Sequence, residues 1–503
     1  MKAIGRSLLA LAVCITMFGA AAMAQTTIRM ATPYKATVLD PTKSAAAGEI
    51  ELFGQLYARL LRRSADGKLE PGLAESWEVS DDGKKFVFRL REAKFSDGSP
   101  LTAADVAFSL SRALGEGSAY PAPFSAIESV EAEDERTVVV NLKAPAAPFL
   151  GYMEIFNAGI VSKADVEARG PEKAFTENPV TSGPFMVKEW KPNDRLILER
   201  NPHYWRTGHP KVDQVALIEV ADTNTRIAML QGGEIDVARD APFAQVGELD
   251  ASDKIDVPLH PSTVIYMTLL NHGRAPFNDI RVRQAAAHAL DVSALTKAVT
   301  HGHATPANTT LPEALLFHHK DYPGISQDVA KAKALLAEAG APQGEAVIMV
   351  TAGSVLSEQL AVLIQAQWAA VGLKSKIEKV DVGLWWDRLT TGDYDAAPSW
   401  WYNETEDPDL AARWALCGAC GNKSFYTNYN NETVNQLTEQ ALNEIDPEKR
   451  KALYIRMQEI STEEVSQIPL YYPPYTNAYS TRVKGLMLSP ALQWNFEDAE
   501  IVE

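Results

Sequence analysis

Residues 26–34 alternate apolar and polar side chains over a short run, the period of a strand with one face on a core. The period then changes. Over residues 49–61, Leu52, Phe53, Leu56, Tyr57, Leu60 and Leu61 recur at helical spacing and predict an amphipathic helix packed on that strand. Further along, Trp77 and Val79 alternate before Asp81-Asp82-Gly83, and Phe86, Phe88 and Leu90 alternate after it, which predicts a β-hairpin with one apolar face. Phe95-Ser96-Asp97-Gly98-Ser99-Pro100 is a second turn, and Thr102 with Asp105 then frames a helix start in capping-box spacing, Asp standing in for Glu. Residues 226–237 predict a helix ended by Gly232 before the next strand. Strands and helices thus mix along the chain, the pattern of an α/β protein.

Composition narrows the picture. The 503 residues are 46% hydrophobic and 22% charged, enough for several cores rather than one. Residues 1–24 read as a cleavable export signal: Lys2 and Arg6 open it, residues 8–17 are apolar, and Ala22-Met23-Ala24 is a small-x-small cleavage site. No later stretch approaches the roughly 20 apolar residues of a membrane span. Loss of Lys2 and Arg6 moves the formal net charge from −17 to −19, which argues against nucleic acid or anionic lipid as a partner. Of the three cysteines, Cys417 and Cys420 survive cleavage, in Cys417-Gly418-Ala419-Cys420. In an oxidising compartment that spacing suits a small-loop disulfide; a redox-active pair would sit in a βαβ context that the surrounding sequence lacks.

The most distinctive chemistry lies in Ser399-Trp400-Trp401-Tyr402-Asn403-Glu404-Thr405-Glu406-Asp407-Pro408-Asp409-Leu410, where three aromatics run into four carboxylates. An organic cation held against Trp faces and met by a carboxylate gains cation–π and charge-assisted hydrogen-bond energy. The bland alternative is a strand edge leading into a solvated helix start.

Several motifs in order resemble the family 5 extracellular solute-binding proteins, the dipeptide, oligopeptide and nickel receptors of ABC importers. They are Leu73-Ala74-Glu75-Ser76-Trp77, Phe86-x-Phe88-Arg89-Leu90-Arg91, Phe95-Ser96-Asp97-Gly98-x-Pro100-Leu101-Thr102-Ala103-x-Asp105-Val106, Thr181-Ser182-Gly183-Pro184-Phe185, Asn201-Pro202-His203-Tyr204-Trp205 and Gly232-Gly233-Glu234-Ile235-Asp236. The resemblance implies a two-lobed periplasmic-binding-protein fold (type II, cluster C) with an extra inserted domain. By similarity the first lobe comprises residues 25–60, 181–262 and 472–503, the inserted domain 61–180 and the second lobe 263–471, with crossings between lobes near residues 261–270 and 468–472. It implies a monomeric periplasmic receptor, not an enzyme, that needs no cofactor and hands a peptide or amine-bearing solute to membrane permease subunits.

In peptide-binding members an Asp four residues before the Pro of this turn meets the ligand's amino group. Glu404 holds that position here, one methylene longer. The resemblance therefore makes Glu404 the ammonium partner, with Trp400, Trp401, Tyr402 and Asn403 forming the rest of the binding stretch; Asp407 and Asp409 are read as turn and helix-cap residues. Some dipeptide receptors clamp the ligand carboxylate with an Arg in the segment equivalent to residues 349–368, which here contains neither Lys nor Arg. Trp385 and Trp386 are read as core. The alternatives are a nickel-complex receptor using His301-Gly302-His303 or His318-His319, and an exported hydrolase, for which no nucleophile or zinc motif is present.

Overall fold

The computed structural model describes residues 25–64, 68–340, 344–421 and 423–502, so the expected export signal over residues 1–24 lies outside it. Its strands form three main sheets. The first has seven strands in the order Ile255–Asp256, Ala478–Ser480, Val237–Ala238, Thr27–Thr32, Gln214–Glu219, Arg195–Arg200, Phe185–Lys191. Thr27–Thr32 is central, parallel to both neighbours, and buries Ile28, Met30 and Ala31.

The first helix spans Ala47–Leu56 and ends earlier than its apolar spacing predicts. The Leu56 carbonyl accepts the Ser182 and Gly183 N–H groups at 3.1 and 2.8 Å, and the chain turns extended at Tyr57. Only glycine fits at position 183, because a Cβ there would lie 2.5 Å from the Gln55 carbonyl oxygen. Leu61 accordingly opens a strand, Leu61–Arg63.

A four-stranded antiparallel sheet follows, ordered Ala74–Val79, Lys85–Leu90, Thr137–Leu142, Ile127–Ala132, with the helix Ala103–Leu114 packed on its far strands. The helix start is held as its spacing predicts: the Thr102 N–H donates to the Asp105 carboxylate at 2.9 Å. The hairpin pairs Trp77 with Phe88 and Val79 with Phe86. Its apolar face is open at the outer strand, however. Ala74–Val79 is an edge strand beyond the covering helix, so Val79 stays 45% exposed while Phe86 and Phe88 are buried.

The third sheet has six strands, ordered Thr305–Pro306, Ile468–Tyr472, Val264–Leu270, Ala396–Tyr402, Ala346–Thr351, Ser375–Val380. Val264–Leu270 reads as an almost unbroken apolar run because helices and loops cover both its faces. The chain passes from the seven-stranded to the six-stranded sheet between Asp256 and Val264, and returns between Tyr472 and Ala478. Val264–Leu270 and Ile468–Tyr472, at the edges of these connections, pair with each other in the six-stranded sheet. The two connections pair at one point, with Tyr475 N–H to His260 O at 2.8 Å and His260 N–H to Tyr475 O at 3.3 Å. Pro258, Pro261, Pro473 and Pro474 fix backbone angles around that point. Among the described residues no helix is long and apolar enough to cross a membrane.

Candidate functional site

Strand register builds the aromatic wall. Trp400 lies opposite Tyr266, and Tyr266 lies opposite Tyr471 across its other edge, so all three side chains emerge from one face of the sheet. Tyr402, two residues on, shares that face. The rings stack as a ladder: Tyr471 to Tyr266 at 4.7 Å, Tyr266 to Trp400 at 6.3 Å and Trp400 to Tyr402 at 6.2 Å. Trp401 points the other way, opposite Ile265, into the core of the second lobe. Two adjacent tryptophans therefore divide the work, Trp400 standing 43% exposed and Trp401 buried.

Beside this wall is a cavity of about 640 Å³, lined by Trp385, Trp386, Trp400, Trp401, Tyr402, Trp414 and Phe425 from the second lobe and by Tyr120 from the loop after the helix Ala103–Leu114. Among the described residues that line it, Glu404 carries the sole formal charge. Its carboxylate accepts the Tyr120 hydroxyl at 3.0 Å and has no ion pair with any described Lys or Arg. Burial pushes the Glu404 carboxyl up from 4.5 to about 7, against the smaller pull of its own backbone N–H and the Tyr120 hydroxyl. A carboxylate in an aromatic pocket without a cation is matched by a cationic guest.

The rest of the turn is structural. The Asn403 side chain donates to the Thr405 and Asp407 carbonyls at 2.7 and 2.8 Å, and Asn403 also edges the cavity. Asp407 accepts the Asp409 N–H at 3.0 Å, a turn contact, but it also receives both terminal nitrogens of Arg450, one at 2.8 Å. The cap expected at Asp409 is absent. Asp409 is the first residue of the helix Asp409–Ala415, and its buried carboxylate accepts the Tyr152 hydroxyl at 2.8 Å and pairs with Arg413 at 3.3 Å. Burial raises its carboxyl to about 6, partly opposed by Arg413. With Tyr120–Glu404, Tyr152–Asp409 joins the region of the four-stranded sheet to the second lobe, and Leu410 buries itself in that region's core.

Trp386 corrects a second expectation. Of the two tryptophans on the helix Val382–Thr391 only Trp385 packs inward; its neighbour meets it edge-on at 5.0 Å and remains 47% exposed at the cavity rim. Nothing local in the sequence marks Tyr120, Trp414 or Phe425: Tyr120 is 284 positions from the carboxylate it meets. Phe425 is carried by consecutive left-handed residues from Lys423 to Tyr426 that no periodicity announces. Cys417 and Cys420 are joined in a disulfide, with Cα atoms 5.4 Å apart, just before this segment. The His318 ring bonds the Leu311 carbonyl at 3.0 Å and His319 lies 3.7 Å from Glu459. Among the described residues no three His, Cys, Asp or Glu side chains converge as a metal site.

A family model described as bacterial extracellular solute-binding proteins, family 5 Middle, matches residues 68–423. The glutathione-binding protein GsiB of Escherichia coli O1:K1 / APEC is 30% identical over 512 aligned residues, covering 99% of each chain. Among solved structures, the periplasmic binding protein DppA of Helicobacter pylori in complex with the peptide STSA superposes with a TM-score of 0.82 at 25% identity, covering 95% of this chain and 98% of that one. AgaA of A. tumefaciens R10 in complex with agropinic acid gives a TM-score of 0.82 at 26% identity, over 95% and 99% of the two chains.

Proposed function

Because the chain belongs to the bacterial extracellular solute-binding proteins of family 5, we propose that it captures a peptide or peptide-like, amine-bearing solute in the periplasm and delivers it to the permease of an ABC importer. The observation that carries this reading is Glu404, a carboxylate raised to about 7 by burial in an aromatic cavity, with a tyrosine hydroxyl but no described Lys or Arg paired to it. A solute ammonium supplies the missing charge. Desolvated against Trp faces, it gains about 2 kcal/mol or more from cation–π attraction, in addition to the charge-assisted hydrogen bond.

Capture and release follow from the two crossings. A solute that touches Glu404 and Trp400 in the second lobe and Tyr120 across the cleft meets all three only when the lobes are together. It therefore favours the closed form by the energy of the interactions that opening would break, and the paired connections at His260 and Tyr475 act as the hinge. The permease would read that closed form. Among its described lining residues the cavity offers no Lys or Arg to a ligand carboxylate, which favours amines, peptide amides or peptides held by their main chain.

A thermal-shift screen of amines and peptides tests this. A solute at about 100 times its Kd adds roughly 2.7 kcal/mol to stability. Glu404→Gln should abolish most of that gain while leaving the ligand-free melting temperature unchanged or slightly raised. Equal shifts in parent and variant would remove Glu404 from the site.

A further inference from the structure

Trp400 and Tyr402 also line a second cavity, of about 290 Å³, in which Glu404 takes no part. It is built by both lobes: Tyr34, Asp240 and Phe243 come from the side of the seven-stranded sheet, Tyr266, Trp400 and Tyr402 from the six-stranded one. Its two charged residues are adjacent and differ sharply in access. Arg239 has a side chain 1% exposed and is committed to a close ion pair with buried Glu51, while its guanidinium lies 5.0 Å from the centre of the Tyr34 ring. Asp240 has a side chain 37% exposed, and its nearest cation, Arg239 Nη2, is 3.6 Å away, outside hydrogen-bond distance. Arg239 and Glu51 offset each other, and the buried Arg226, whose guanidinium is bonded to the Val220, Ala221 and Arg239 carbonyls, acts on Asp240 only through space; Asp240 is the charged member open to the cavity.

Asp240 is held in place by its backbone, with φ at +54° and its N–H donating to the Asn477 side chain at 3.2 Å. Facing it are rings already stacked by strand register, Tyr266 on Trp400 and Trp400 on Tyr402. Ring faces from two lobes around one incompletely partnered carboxylate make a box for a desolvated organic cation. A carboxylate guest would meet Asp240 first and find Arg239 buried behind Glu51.

We infer that this chamber is a second cation subsite with Asp240 as its counter-charge, so that the solute carries two positive groups, as a basic peptide does. The inference rests on the ammonium site proposed at Glu404 and extends it.

The test uses alanine tripeptide amides, which lack a carboxylate, with lysine at the first, second or third position. Each is compared with the same peptide carrying norleucine, whose side chain keeps the methylenes and drops the charge. Calorimetry on the exported chain should show lysine binding at least about tenfold tighter than norleucine at one position. Asp240→Asn, which tolerates the left-handed backbone, should erase that preference and leave norleucine binding within about twofold. Asp240→Glu should keep it. If the norleucine peptides bind and lysine gains nothing at any position, or if Asp240→Asn keeps the gain, the second subsite is refuted and the Glu404 reading stands. If neither series binds, both fall.

Discussion

Glu404 and Asp407 stand three residues apart on the turn that leaves the strand Ala396–Tyr402, and both are largely withdrawn from water. Asp407 is gripped by the two terminal nitrogens of Arg450, whose guanidinium lies beside the Phe317 and Tyr454 rings and whose Nε donates to the Ala441 carbonyl at 2.8 Å. Glu404 meets a tyrosine hydroxyl and an aromatic void. Chemically similar groups thus have opposite tasks, and what separates them is the supply of positive charge within the fold. Where the fold brings its own cation the carboxylate is architecture; where no described residue brings one, the position is open to the guest proposed above.

Removing the internal cation should break this contrast most severely. Arg450→Met strands Asp407 without its partner and should lower the unfolding free energy by about 3–5 kcal/mol in urea titrations without ligand. Solute affinity of the fraction that remains folded should change little, because neither Arg450 nor Asp407 lines the cavity. A loss below about 1 kcal/mol would mean the pair contributes only as a surface ion pair does. Trp386→Ala comes next. Its ring is 47% exposed at the rim, so unfolding should be nearly unaffected while amine binding weakens by about 1–2 kcal/mol; unchanged binding would place the solute deeper, against Trp400 and Trp385. The smallest effect is expected for Tyr152→Phe, which deletes the hydroxyl on Asp409 without touching the cavity. It should cost about 1 kcal/mol of closure, seen by small-angle scattering as a few-fold higher solute concentration needed for compaction.

Much of this is legible in the chain itself. The capping residues Thr102 and Asp105, the hairpin register around Trp77 and Phe88, and the aromatic-to-acid stretch are local patterns, and local patterns survive into three dimensions. Helix length is misjudged at Leu56 because the stop comes from Ser182 and Gly183, far along the chain. The role of Asp409 escapes the sequence for the same reason: Tyr152, its partner, belongs to another sheet's neighbourhood. Trp385 and Trp386 look equivalent in sequence, and only the packing of their helix decides which is covered. The alternation of a strand does separate Trp400 from Trp401, but which face looks into the cleft depends on what covers the other.

On the reading proposed above, Glu404 is ionised by the solute it receives. Its carboxyl is raised from 4.5 to about 7, so in the ligand-free protein its stabilising contribution is fully present below about 4.5 and is lost as pH rises through about 7. An ammonium guest reverses the preference and draws the proton off. Calorimetry at about pH 6 in buffers of different ionisation enthalpy, with an amine that stays protonated, should therefore record nearly one proton released per solute, falling toward zero at about pH 8. Affinity should rise about tenfold over the same interval, and Glu404→Gln should flatten both curves. Binding by the parent at about pH 6 with no proton released would contradict the account.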